Sequence, residues 1–295
     1  MDPAVQAYIE RIYEIPGFFG PLDAVLFARL FEVQDDVSVV GDVLEIGCWH
    51  GRSAIMLEYL KSEEEVLHVC DLFDDPPPTR AGMVELAASS GPMPSRAEFE
   101  AWFRSFHPRI PLIHQTASSA LSATELGLNR FRFVHVDGSH THEMVSEDIA
   151  LACELATEGA VLVFDDYANV GHPGVASALW PAVMERGLKP FAASPSKLYV
   201  SLGVDWATRY RVAIEEFAAQ HGYRWKQTEL PGGSIVTVWP IDDSRNLGAR
   251  VAGRIRRSIR RTLVDRIRRQ WNRVFGGLHY LTFGIGDLPE LILGI

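Results

Sequence analysis

Five side chains able to do chemistry crowd one stretch, HVDGSHTHEMVSEDIALACELATEGAVLVFDDY, from His135 to Tyr167: Asp137, His140, His142, Asp165 and Asp166. Two apolar runs, RFVHVDGS (132–139) and AVLVFDDY (160–167), read as buried strands, and the acids stand at their ends. Neighbouring parallel strands lie about 5 Å apart, so all three carboxylates can converge at one sheet edge. Crowded carboxylates repel and take up protons unless a cation neutralises them. An all-oxygen set suits a hard divalent ion, Mg²⁺ first, with Mn²⁺ and Ca²⁺ as alternatives. The competing reading is plain: one Asp caps a helix and the other two are solvated. The placement of all three at strand ends favours the metal.

A second group of residues lies upstream. The run DVLEIGC (42–48) reads as a strand ending in the turn G-x-x-x-G, Gly47 to Gly51. Glycines there let the backbone turn tightly and approach a ligand closely. Trp49 stands where a dinucleotide fingerprint would need its middle glycine, which counts against a nicotinamide oxidoreductase. Glu45 would repel a pyrophosphate and welcome a cation. Asp71, at the end of the next strand, can take both hydroxyls of a ribose. A nucleoside carrying a positive group fits this pair, and S-adenosylmethionine is such a molecule.

On LEIGCWHGRSA and VCDLF the chain resembles the class I S-adenosylmethionine-dependent methyltransferases, over residues 20–203 or so. The resemblance implies a cofactor site of Glu45, Gly47, Gly51, Ser53 and Asp71, with Ser118 or Ser119 of HQTASSAL nearest the adenine. The DGSH and FDDY elements are similar to the metal-dependent O-methyltransferase branch, including the macrolide-sugar O-methyltransferases. That implies Asp137, Asp165 and Asp166 as ligands of a divalent metal and His140 as general base. A metal lowers the pKa of a hydroxyl it holds, an imidazole near neutral pKa removes the proton, and alignment does the rest. His142 competes with His140; a helix starting near Thr141 would leave His140 on the strand-end loop. His172 could line the acceptor pocket or make a turn, and Lys197 and Tyr199 read as a structural strand pair.

The elements that must position these groups alternate. Strand, helix, strand over 42–73 is a βαβ unit, which makes its strands parallel. Further strands are expected at PLIHQTAS, 132–139 and 160–167, a helix at 173–188, and a two-stranded hairpin at 189–203. The expected fold class is α/β: a Rossmann-like open sheet, mostly parallel, with a terminal antiparallel hairpin and helices on both faces. Residues 1–40 are an N-terminal helical lid whose second helix Asp23 caps; 41–203 are the catalytic domain; 204–244 are a helix-strand extension; 245–295 are a basic amphipathic helix and an apolar tail. The Pro-, Gly- and Ser-rich segment 74–95 reads as a mobile loop that shapes acceptor specificity, apart from a capping box, Ser95 with Glu98, that opens a helix.

Bulk properties narrow the function classes. With 47% hydrophobic and 22% charged residues the chain is ordinary globular protein. Three cysteines with no CxxC spacing suggest neither a disulfide framework nor a zinc knuckle, and the expected place is the cytoplasm. No secretory signal and no apolar run of membrane-spanning length is evident. The net charge of −10 conceals eleven arginines against one acid between Arg245 and Arg273. Such a segment can pack on a second copy of the acidic body, giving a homo-oligomer, or lie on an anionic membrane surface. Nucleic acid is disfavoured, since no recognition motif accompanies the charge. The expected activity is methyl transfer to a hydroxyl of a small molecule, a sugar or glycoside in glycan, glycolipid or natural-product assembly. The alternative is a nucleoside-binding module without catalysis, recruited to membrane or partner by its basic helix.

Overall fold

The computed structural model describes residues 2–88, 93–230 and 233–240. Two helices come first, α1 (Pro3–Arg11) and α2 (Pro21–Asp36). Then β1 (Asp42–Ile46), α3 (Arg52–Leu60) and β2 (Leu67–Asp71) make the expected βαβ unit. Next come α4 (Arg80–Ala88), α5 (Arg96–Arg104), β3 (Leu112–Gln115), α6 (Ala123–Leu126), β4 (Phe131–Val136), α7 (His142–Leu155) and β5 (Ala156–Phe164). The chain continues through α8 (Pro173–Glu185), β6 (Lys189–Ala193), β7 (Leu198–Ser201), α9 (Val204–Gln220), β8 (Arg224–Leu230) and β9 (Gly233–Trp239).

These strands form one sheet in the order β3-β2-β1-β4-β5-β7-β6-β9-β8. The five strands from β3 to β5 are parallel, and β7 turns antiparallel against β5. β1, β2, β4 and β7 are buried along their whole length, which is why they read as continuous apolar runs rather than alternating ones. The helices divide between the two faces. Residues of α1, α2, α3, α5 and α9 share one core with Val43, Val69, Phe133 and Val163. Residues of α6, α7 and α8 share the other with Leu44, Ile46, Val134 and Leu162. Alternate residues of each strand thus supply opposite cores.

The mostly parallel Rossmann-like fold is as expected, and several details differ. The helix-strand extension is continuous with the catalytic sheet, because β9 pairs in parallel with β6 through Ala192 and Val236. β8, with its largely exposed RWKQTEL, was not anticipated; an edge strand has no buried face to impose a pattern. Residues 80–88, read as loop, are helical. Asp23 does not cap α2. Gly20 holds that position, and Asp23 lies buried in the first turn, accepting a hydrogen bond from the Tyr199 hydroxyl at 2.5 Å. The α5 capping box forms as the sequence indicates. The basic segment 245–275 and the apolar tail lie outside the described residues.

Candidate functional site at the carboxyl ends of the strands

The glycine turn is tied together by backbone contacts. Gly47 has φ +79°, and a Cβ there would collide with the Asp137 carbonyl oxygen. The turn after β1 therefore packs directly on the end of β4, a spacing only glycine permits. Asp71 completes the turn: Oδ2 accepts from the backbone N–H groups of Cys48 (2.8 Å) and Trp49 (3.1 Å), and Oδ1 from Phe73 N–H (2.9 Å). The acid expected to hold a ribose thus first holds the loop. Ser53 is buried in the first turn of α3, whereas Ser118 and Ser119 sit on a short 3₁₀ turn after β3.

Glu45 is wholly buried in β1 beside this turn. The Nδ1–H of His135, on neighbouring β4, donates to its Oε1 at 2.7 Å. Among the described residues its Oε2 has no hydrogen-bond partner. An orphaned carboxylate oxygen in the interior calls for a donor. That orphan suits a cosubstrate bearing positive charge, so the residues present fit S-adenosylmethionine.

The carboxylates at the next two strand ends do not meet as a threesome. Lys197, on the turn between β6 and β7, places its buried Nζ 2.5 Å from Asp165 Oδ2 and 3.8 Å from Asp137 Oδ2. The same ammonium donates to His135 Nε2 at 2.9 Å. A chain of contacts therefore runs from Glu45 through His135 to Lys197 and the two acids. Burial alone would lower the lysine pKa, but the charges of Asp165, Asp137 and Asp23 outweigh it and push it up. Asp165 is correspondingly held far below the carboxylate range despite its burial, chiefly by Lys197. Burial and the neighbouring Asp165 charge drive Asp137 the other way, well above that range.

Asp166 turns away from this pair. Its backbone is left-handed, φ +57°, which swings the carboxylate toward His140, and Oδ2 accepts from His140 Nε2 at 2.9 Å. The other ring nitrogen of His140, Nδ1, lies 2.5 Å from Glu85 Oε1 on α4. Glu85 also accepts from His140 N–H and from the Ser139 hydroxyl, each at 2.8 Å. Burial opposes the charged ring, but hydrogen bonds and charge from Asp166 and Glu85 raise the His140 pKa to about 10. The imidazole near neutral pKa expected from the sequence is here an imidazolium between two carboxylates. His172 stacks on it, ring centroids 3.8 Å apart.

Thr141 is the N-cap of α7, so His140 does lie on the strand-end loop and His142 in the first helical turn. His142 points elsewhere, its Nδ1 2.9 Å from the Ser177 hydroxyl. Among the described residues two groups come within metal-ligand reach, His135–Asp137–Asp165 and His140–Asp166–His172. The expected triad Asp137–Asp165–Asp166 is split between them. With an ammonium already between Asp137 and Asp165, and Asp166 engaged by His140, these acids do not fit a shared divalent ion. Sequence reasoning missed Glu85 and read Lys197 only as part of a structural strand pair with Tyr199, yet these two residues carry the arrangement.

Residues 44–167 match the model of a family described as a methyltransferase domain. Among solved structures, the chain is similar to the O-methyltransferase NovP, at 14% identity, covering 67% of this chain and 96% of that one, TM-score 0.55. It is also similar to CalS11, a TDP-rhamnose 3'-O-methyltransferase of calicheamicin biosynthesis (14% identity, 69% and 96% covered, TM-score 0.43). A third is an O-methyltransferase from Bacillus cereus (16% identity, 80% and 89% covered, TM-score 0.37). No curated protein matches by sequence.

Proposed function

We propose that the chain is a class I S-adenosylmethionine-dependent methyltransferase, a reading supported by the methyltransferase-domain match over residues 44–167, and that it methylates a hydroxyl oxygen of a small molecule, with a saccharide or glycoside as the preferred acceptor. The acceptor class rests on the DGSH and FDDY elements. The observation that carries the reaction is the Asp166–His140 pair at the strand-end lip, next to the loop that packs on the Gly47 turn. S-adenosylmethionine, when bound, supplies an electrophilic methyl group. A hydroxyl attacks it well only as its proton leaves.

His140 is the residue placed to take that proton. Asp166 orients the ring through Nε2 and raises its basicity, as a carboxylate does for a catalytic imidazole. Nδ1 faces the carboxylate of Glu85. An acceptor hydroxyl entering there displaces Glu85, and the Nδ1 proton passes through that carboxylate to solvent, leaving a neutral ring. Nδ1 then accepts the hydroxyl proton. Asp71 holds the glycine turn in shape, and Glu45 Oε2 offers an acceptor to the cosubstrate's positive end.

Two measurements test this. Calorimetry with S-adenosylhomocysteine should show one-site binding, and a silent titration rejects the cofactor assignment. His140→Ala should lose methyl transfer to a hydroxylated acceptor by about 10²–10⁴-fold, the usual worth of a general base, while His142→Ala stays near wild type. The reverse pattern makes His142 the base.

A further inference from the structure

One side chain accounts for the split of the acidic cluster. The backbone of Lys197 is fixed by the hairpin: Ser194 N–H donates to its carbonyl oxygen at 2.9 Å, and its own N–H donates to Ser194 Oγ at 3.0 Å. β7 runs antiparallel to β5 with Leu198 opposite Phe164, so Lys197 comes opposite Asp165. Its stem passes the face of Phe19, with Nζ 5.6 Å from the ring centre. The head reaches Asp165, His135 and Asp137, and the side chain is only 1% exposed. A charge so far from water persists only with partners of opposite sign. Here those partners are the acids that a metal would need.

We infer that the Lys197 ammonium is the built-in cation of this strand-edge site, and that the chain binds no divalent ion between Asp137 and Asp165. An ammonium neutralises crowded carboxylates as a metal does, but it offers no open coordination position. Its hydrogen bonds go to Asp165 and His135, and Asp137 stands 3.8 Å away as a third charge partner. Lys197 is a positioning residue: it fixes Asp165 beside the Asp166–His140 pair and, through His135, fixes Glu45 beside the cosubstrate turn. The inference deepens the methyl-transfer reading and rests on it for its catalytic meaning, but ion binding can be read without any turnover.

The test is a Mn²⁺ titration of the chelator-treated full chain, followed by calorimetry and by electron paramagnetic resonance of the ion. The wild-type chain should bind no Mn²⁺ that Asp165→Asn removes. Lys197→Met should gain Mn²⁺ binding, since it leaves Asp137 and Asp165 without a cation, and adding Asp165→Asn should abolish that gain. A wild-type chain that binds Mn²⁺ and loses it in Asp165→Asn overturns the inference. So does a folded Lys197→Met that binds none. If Lys197→Met does not fold, the wild-type titration decides alone, with Lys197→Arg expected to fold and still bind no ion. Methyl transfer by the wild-type chain should be unchanged in excess chelator. A chain that neither methylates nor binds Mn²⁺ counts against the functional reading and leaves the lysine assignment standing.

Discussion

At the scale of single residues, the structure turns on ionisable groups whose partners come from distant parts of the chain. Strand-end acids were legible because an apolar run ending in Asp marks a sheet edge. Lys197 was not, because its pairing with Asp165 depends on the β5–β7 register. Glu85 was hidden in a stretch whose Gly, Ser and Pro content masked a helix. The Glu85–His140–Asp166 latch has a defined pH window. His140 is raised to about 10, so its contribution to stability is full below its unfolded value near 6.5 and is lost as pH rises through about 10. Glu85 and Asp166 are lowered against their burial, first by hydrogen bonds from His140. Their contribution is present above the ordinary carboxylate range and is lost as pH falls through their lowered values. In the free enzyme, kcat/KM should therefore climb along an alkaline limb toward pH 10. In Glu85→Gln the limb should move toward neutrality, because one of the two groups that raise His140 is gone; an unmoved limb removes Glu85 from the mechanism. Asp148 gives a second, independent case. It is buried on α7 with poorly satisfied oxygens, the Ser118 side chain being the group that favours its ion, and burial raises its pKa from 3.8 to about 6. An acid whose folded pKa is raised costs nothing below its unfolded value, loses stability as pH rises between the two values, and carries the full penalty above the higher one. Asp148→Asn should thus stabilise the fold by roughly 2 to 3 kcal/mol at neutral pH, at about 1.4 kcal/mol per pKa unit. The gain should vanish in denaturant melts near pH 4.

At the scale of elements, the parallel strands were easy to read and the additions to them were not. Buried strands announce themselves by unbroken apolar runs between Gly and Asp, as DVLEIGC and RFVHVDGS do. The same logic fails for β8, whose residues face solvent, and for α4, whose Gly82 and nearby prolines argue for loop. The turn after β1 is where an element most sharply constrains its residue. Gly47 takes φ +79°, and its missing Cβ leaves room for the Asp137 carbonyl and the Gly138 Cα. Gly47→Ala meets both a disfavoured backbone conformation and backbone atoms that cannot move without shifting β4. It should destabilise the fold by more than the ~1 kcal/mol that a strain-free Gly→Ala change contributes in the other direction, and should abolish S-adenosylhomocysteine binding. Gly187, also at positive φ but with open space around it, is the control: Gly187→Ala should be destabilised by backbone strain alone and should bind normally. Equal loss of binding in both variants would mean that the close approach of the turn to β4 is not what shapes the cosubstrate site.

At the scale of the whole molecule, the elements from α1 to β9 belong to one compact unit built on the open sheet. α2 packs on α9, and Phe27, Phe133 and Tyr199 join the N-terminal helices, β4 and β7 in one core. The Asp23–Tyr199 hydrogen bond ties the second helix of the chain to the hairpin that bears Lys197. The N-terminal helices, read from the sequence as a lid, thus share a core with the strands behind the site. All the proposed site residues, from Glu45 to Lys197, lie within the compact unit Met1–Ile241. The arginine-rich segment 245–273 contributes none of them. A chain ending at residue 241 should therefore fold, bind S-adenosylhomocysteine with unchanged affinity, and keep methyl transfer to a freely soluble acceptor. Removing residues 242–295 removes eleven arginines and five acids, six units of net positive charge, so the truncated chain should be more acidic than the full one. Lys and Arg near an anionic surface contribute about 1 kcal/mol each. If the basic segment serves as a surface anchor, the full chain should float with vesicles rich in phosphatidylserine, should release as salt rises past the point where screening shortens to a few ångströms, and the truncated chain should stay in the aqueous phase. Equal flotation of both would assign membrane contact to the body. A full chain that ignores vesicles but sediments as a larger species than the truncated one would assign the arginines to contact between copies.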